Sequence, residues 1–83
     1  IEAYIKRLET LEALVSKHKG VERSYALQAG REIRVMVKPA EINDAQAEKL
    51  ALELKKEIEK ELTYPGTIKI TVIRETRVNQ VAK

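Results

Sequence analysis

The spacing of the apolar residues changes along the chain, and this change is the strongest constraint on the fold. Apolar residues recur every three or four positions over residues 1–19 and 44–62, which predicts two amphipathic helices. Between and after these segments the spacing falls to two, which predicts strands with one buried face. The predicted order of elements is therefore α-β-β-α-β.

The two predicted helices have clear end signals. Gly20 stops the first helix, because glycine adopts a left-handed backbone conformation at little cost. Asn43 can cap the second helix, and Gln46 three residues later completes a capping-box pattern. The apolar stripes consist of Ile1, Tyr4, Ile5, Leu8, Leu11, Val15 and His18 in the first helix, and of Ala47, Leu50, Ala51, Leu54, Ile58 and Leu62 in the second.

The first two strands are predicted to form a hairpin. The first covers residues 21–28, and Tyr25 and Leu27 mark its apolar face. The dipeptide Ala29–Gly30 supplies a tight turn with glycine at positive φ. Pro39 ends the second strand, because proline lacks a ladder donor. The inward-facing residues of that strand are Ile33, Val35 and Val37.

The third strand is predicted over residues 68–76, after a turn at Tyr64-Pro65-Gly66. Residues 77–83 show no period, and we predict that this tail frays. The crossover through a long helix allows the second and third strands to pair in parallel, with a right-handed connection. We therefore predict a single α+β domain over residues 1–83, with a three-stranded sheet and two helices packed on one face.

Composition and motifs exclude several chemistries. The chain has no cysteine, so it can form neither a disulfide nor a thiolate metal site. The glycines of Gly20–Pro39 do not cradle a phosphate, because Gly30 lies between two strands and no dinucleotide or P-loop motif is present. His18 is the only histidine, and we interpret it as a residue at the end of a helix, where its charged form favours the dipole. No cofactor, metal site or catalytic pair is predicted.

The sheet face away from the helices carries the candidate functional residues. Met36, Thr71 and Ile73 suggest a surface for a protein partner. Four basic residues suggest RNA contacts instead, namely Arg31, Arg34, Lys38 and Lys69. The chain lacks Phe and Trp, and Tyr25 is expected on the core face, so stacking surface for RNA is scarce. An ordinary solvated sheet face accounts for the same pattern equally well.

Four stretches of the sequence carry a family resemblance. The segments "VERSYALQAGREIRVMVKP", "DAQAEKLALELKKEIEKEL" and "YPGTIKITVIRETR" resemble the C-terminal end of bacterial ribonuclease Y. The segment "IEAYIKRLETLE" resembles the helix that leaves the HD domain in that family. The chain begins at Ile1 within a helical pattern and without Met, so we expect it to be a fragment of a longer protein.

The resemblance implies a parent endoribonuclease that begins messenger RNA decay. That family has an N-terminal membrane helix, a coiled coil, a KH domain that binds RNA, and an HD phosphodiesterase domain with a divalent metal. The implied location is cytoplasmic, with the parent anchored to the membrane. No catalytic or metal-binding residue of the family falls within this chain. The fragment would then act through a homo-oligomer, the parent's HD domain or other RNA-decay factors, and we expect no membrane contact by it.

Overall fold

The computed structural model describes residues 2–62 and 66–83 and confirms the α-β-β-α-β order. The elements are helix α1 (Glu2–Ser16), strand β1 (Val21–Leu27), strand β2 (Glu32–Val37), helix α2 (Asp44–Glu61) and strand β3 (Lys69–Arg74). Residues 75–83 have no regular secondary structure. The predicted turn at Tyr64-Pro65 lies outside the described residues.

Strand β2 is the middle strand of a mixed sheet with the order β1-β2-β3. It pairs antiparallel with β1 and parallel with β3, as the helical crossover allows. Its inward side chains Ile33 and Val35 have no solvent exposure. Both helices cover this one face, so the predicted two-layer α+β fold is confirmed. The buried core consists of Leu11, Leu14, Val15, Ile33, Val35, Val37, Leu50, Leu54 and Ile58.

The predicted cap of α2 is present. The side chain of Asn43 accepts a hydrogen bond from the Gln46 amide at 2.8 Å, and the Gln46 side chain accepts one from the Asn43 amide at 2.8 Å. This reciprocal pair satisfies two amides at the helix start. Helix α1 is shorter than predicted, because it ends at Ser16 and a turn of residues 17–20 follows.

Two glycines occupy backbone conformations that favour this residue. Gly20 has a φ of 88°, and a Cβ built there would approach the side chain of Ile42 to 2.5 Å. Gly30 has a φ of 83° and ends a left-handed turn whose other members are Gln28 and Ala29, with φ of 51° and 59°. Non-glycine residues adopt this region at a steric cost. Because Leu27 pairs with Glu32, the loop consists of residues 28–31 and is longer than the predicted two-residue turn.

A β-bulge in β1 overturns one expectation. Val21 pairs with Val37, but the next paired residue is Arg23, opposite Met36. The extra residue in between reverses the side-chain phase of the rest of the strand. Tyr25 therefore lies opposite Arg34 on the face away from the helices, and Ala26 takes the inward position opposite Ile33. The prediction that Tyr25 and Leu27 face the core is wrong for this reason.

Arg74 joins the end of β3 to the loop between β2 and α2. Its Nε donates to the carbonyl of Ile42 at 2.6 Å, and its Nη2 donates to the carbonyl of Pro39 at 3.0 Å. Its Nη1 lies 3.5 Å from the carboxylate of Asp44 in the first turn of α2. One guanidinium thus fixes the start of the crossover helix against the last strand.

We expect Arg74→Ala to lower the free energy of unfolding by about 1–2 kcal/mol, because charged hydrogen bonds to two carbonyls are lost. Urea denaturation followed by circular dichroism measures this change. The control is Arg77→Ala in the exposed tail, which should change stability by less than about 0.5 kcal/mol. If both variants changed the free energy of unfolding by the same amount, the contacts of Arg74 would contribute nothing to stability.

Candidate functional site

The sheet face away from the helices presents three rows of three side chains, which we call the open face. The pairing of the strands places side chains from β1, β2 and β3 in each row. The first row is Arg23, Met36 and Ile73, the second is Tyr25, Arg34 and Thr71, and the third is Leu27, Glu32 and Lys69. Three of the nine positions are basic and one is acidic, so the face is positively charged.

Glu32 is a buried carboxylate within this face, with 6% of its surface exposed. It accepts hydrogen bonds from the Nε of Arg34 at 3.3 Å and from the hydroxyl of Thr71 at 3.2 Å. Burial alone would raise its pKa. The two hydrogen bonds and the charges of Arg34 and Lys69 outweigh burial and hold the pKa of Glu32 below its ordinary value.

Arg34 is consequently held at the centre of the open face. The Glu32 carboxylate restrains one edge of its guanidinium, while half of its side chain stays exposed to solvent. An arginine fixed in this way loses less side-chain entropy when it binds a partner than a freely rotating one. The centre of the face therefore presents an ordered, accessible donor.

Tyr25 supplies an aromatic surface next to this donor. The side chain is 42% exposed and lies directly across from Arg34. The guanidinium carbon of Arg23 is 5.8 Å from the centroid of the Tyr25 ring, within the range of a cation–π contact. Sequence analysis placed Tyr25 and Leu27 on the core face and did not include Arg23, because the bulge in β1 that sets their phase leaves no signal in the residue pattern. It also did not include Glu32, although the alternation of β2 puts this residue on the same face as Arg34 and Met36.

The structure brings together five of the seven residues proposed from the sequence as partner or RNA contacts. Those on the open face are Met36, Thr71, Ile73, Arg34 and Lys69. The other two lie beyond the ends of β2. Arg31 follows the hairpin turn, and its carbonyl accepts a hydrogen bond from the Lys69 amide at 2.8 Å. Lys38 pairs with Glu41 at 3.5 Å.

His18 has a structural contact away from the open face. It lies in the turn after α1, and its Nε2 is 3.0 Å from the Glu57 carboxylate on α2. The same carboxylate lies 4.0 Å from the Nζ of Lys17. These contacts connect the end of α1 to the middle of α2, so His18 joins the two helices.

Two further observations concern ligands and membranes. Within residues 2–62 and 66–83, no group of three or more His, Cys, Asp or Glu side chains is arranged to hold a metal ion. Among the helices in this described part, none combines the length and apolar composition that crossing a bilayer requires.

Comparison with known proteins gives one consistent result. The chain is 58% identical over all 83 residues to ribonuclease Y of Bacillus subtilis and of Geobacillus kaustophilus, and 59% identical to ribonuclease Y of Clostridium perfringens. The resemblance to ribonuclease Y is confirmed. The chain spans 16% of the length of these ribonuclease Y relatives, which is consistent with a fragment from the C-terminal end. No family model matches the chain, and no solved structure matches it.

We expect Glu32→Gln to change the pH dependence of stability. The pKa of Glu32 is lower in the folded chain than its ordinary value of 4.5, so the ionised carboxylate stabilises the fold above that pH. This stabilisation is lost as pH falls through the lowered value. The difference in unfolding free energy between parent and variant should therefore be constant near neutrality and shrink in acid.

Urea denaturation between about pH 3 and pH 7 measures this difference across the range where a carboxylate titrates. Glu53→Gln, on the exposed surface of α2, is the matched control and should give a small difference at every pH. A Glu32→Gln effect that stays constant down to the lowest pH would contradict the role given to the ionised carboxylate.

Proposed function

We propose that this chain is a non-catalytic interaction module of a ribonuclease Y-type endoribonuclease, and that its open face docks onto the HD domain of the same parent. The identity to ribonuclease Y along the whole chain supports the parent. The composition of the open face supports docking. Arginine, tyrosine and methionine are enriched where proteins meet, and Arg23, Tyr25, Arg34 and Met36 fill four of its nine positions.

This proposal rests mainly on one observation. The restrained Arg34 at the centre of the open face lies next to the row that contains the apolar residues Met36 and Ile73. Met36 and Ile73 lie side by side and are half-buried. Arg34 lies in the neighbouring row of the open face, and the buried Glu32 already restrains it. An apolar anchor next to an ordered arginine gives a partner both area to bury and a directional contact.

The resemblance extends the proposal to the parent enzyme. We propose that cleavage of messenger RNA and the divalent metal belong to the HD domain of the parent, which is anchored to the membrane and works in the cytoplasm. The module would then position the catalytic domain or link it to other RNA-decay factors.

We expect Met36→Asp and Ile73→Asp each to weaken docking about tenfold or more, because a carboxylate would be buried against the partner surface. Isothermal titration calorimetry of the 83-residue chain against the parent lacking this segment measures the change. Val78→Asp replaces an exposed apolar residue in the C-terminal tail and is the control. Unchanged affinity in both open-face variants would refute docking through this face.

RNA binding by the open face is a second candidate, and the position of Tyr25 favours it. Single-stranded RNA is bound by stacking bases on exposed aromatic rings beside basic side chains. Tyr25 lies exposed between Arg23 and Arg34. The bulge in β1 thus supplies the stacking surface whose absence argued against RNA contact when the sequence alone was considered.

We expect Tyr25→Ala to weaken binding of a single-stranded RNA about tenfold, the loss typical of one stacked base. Fluorescence anisotropy at low salt measures it, and affinity should fall steeply as salt is added. Tyr4→Ala, which removes a similarly exposed tyrosine from α1, should leave affinity unchanged. Undetectable RNA binding at low salt would remove this candidate.

A further inference from the structure

The two outer edges of the sheet differ in how they are protected. The edge formed by β1 carries the bulge after Val21, and the carboxylate of Glu12 on α1 accepts a hydrogen bond from the Ala26 amide at 3.4 Å. Bulges and inserted charges are the devices with which proteins keep an edge strand from pairing with another chain. The β1 edge is therefore blocked.

Among the described residues, the edge formed by β3 carries no bulge. Its only partner among the described residues is β2, and their register runs without a bulge from Lys69 to Arg74. The strand contains no proline, and Ile70, Thr71, Val72 and Ile73 are all β-branched, which favours a flat, extended conformation. A bare edge of this composition is a template for a further strand.

A groove lies along this edge, between α2 and β3. It has a volume of about 670 Å³ and a mainly apolar lining. Helix α2 contributes Leu52, Lys55 and Glu59, and its C-cap residue Leu62 also lines the groove. On the other side, Ile68 precedes β3 and Ile70 belongs to it. Leu52 is 50% exposed. In the part of the chain that the structure describes, neither Lys55 nor Glu59 has an ion-pair partner.

The groove side of α2 is complementary to itself. Four of the residues that line the groove on this side, namely Leu52, Lys55, Glu59 and Leu62, are symmetrically spaced about position 57, and Ala51 and Ile58 also line it. A twofold axis through that position would bring Leu52 of one copy to Leu62 of the other, and Lys55 to Glu59. Self-complementarity of this kind is what an interface between two identical chains requires.

We propose that two copies of this chain associate through the β3 edge and the adjoining groove, which joins their sheets into one of six strands. The bare edge supplies the backbone pairing, and the self-complementary side of α2 selects a second copy as the partner. This interface is separate from the open face, so it can form whether or not the open face docks elsewhere.

The sequence of β3 fits an antiparallel register centred on Thr71. This register pairs Thr71 with Thr71 of the second copy and sets Ile70 opposite Val72 of that copy. It also keeps the two Lys69 side chains apart. Inward-facing apolar residues then meet inward-facing ones, as pairing across a continuous sheet requires. Because Arg74 at the end of β3 contacts Asp44 at the start of α2, the helix and strand are antiparallel, and one axis can serve both.

A charge-reversal series tests the proposal by sedimentation equilibrium on the 83-residue chain. An interface of one strand edge and one helix side is small, so we expect Kd on the order of 10–100 µM. Lys55→Glu and Glu59→Lys should each weaken association about tenfold or more, because like charges then meet twice across the axis. The double variant Lys55→Glu/Glu59→Lys restores opposite charges and should regain affinity to within about threefold of the parent.

The same swap at Lys49 and Glu53 is the matched control, because this pair has the same spacing on an exposed side of α2 away from the groove. Its single and double variants should associate like the parent. A parent chain that stays monomeric to about 1 mM, well above the expected Kd, would overturn the proposal and leave the edge to another segment of the parent enzyme. The proposal would also be overturned if the single reversals left the association constant unchanged, or if the double variant associated as weakly as the single variants.

Discussion

The pairing of β2 on both sides is the constraint on which the rest of the structure depends. This strand pairs antiparallel with β1 through a hairpin and parallel with β3. The parallel pairing requires a long crossover connection, which α2 provides. Its inward residues Ile33, Val35 and Val37 are almost fully buried, so both helices must cover that single face. Neither helix covers the opposite face, so side chains such as those of Tyr25 and Arg34 stay exposed to solvent there.

Polar contacts also distinguish the open face and the two outer edges of the sheet. The carboxylate of Glu32 orders Arg34 within the open face, so that the charged centre of the face is restrained before any partner arrives. The carboxylate of Glu12 accepts a hydrogen bond from the β1 edge, whereas the part of the chain that the structure describes shows no bulge in β3. The open face and the outer edge of β3 are thus two separate surfaces of the chain.

Apolar periodicity in the sequence predicted the element order and the face covered by the helices, and the spacing of Asn43 and Gln46 predicted the capping box, because these depend on local patterns. It failed at Tyr25, because a one-residue bulge reverses side-chain phase and no residue type announces it. Leu14 in α1 was missed as a core residue, and Tyr4 and Ile5 are exposed although they share the predicted stripe. Burial at the end of a helix depends on where the sheet stops, which only the folded chain shows. Whether Met36, Thr71 and Ile73 contact a partner stays a prediction.

The contacts of Arg74 also bear on the order in which the chain folds. The hairpin of β1 and β2 closes over a short turn, whereas the parallel pairing of β3 must wait until residues 38–68 have been enclosed, and closing the longer loop costs more entropy. Arg74 can reach Pro39 and Ile42 only after that closure. Loop-closure entropy therefore favours a folding order in which β3 joins the sheet last, and β3 is also the strand whose outer edge has no strand partner among the described residues.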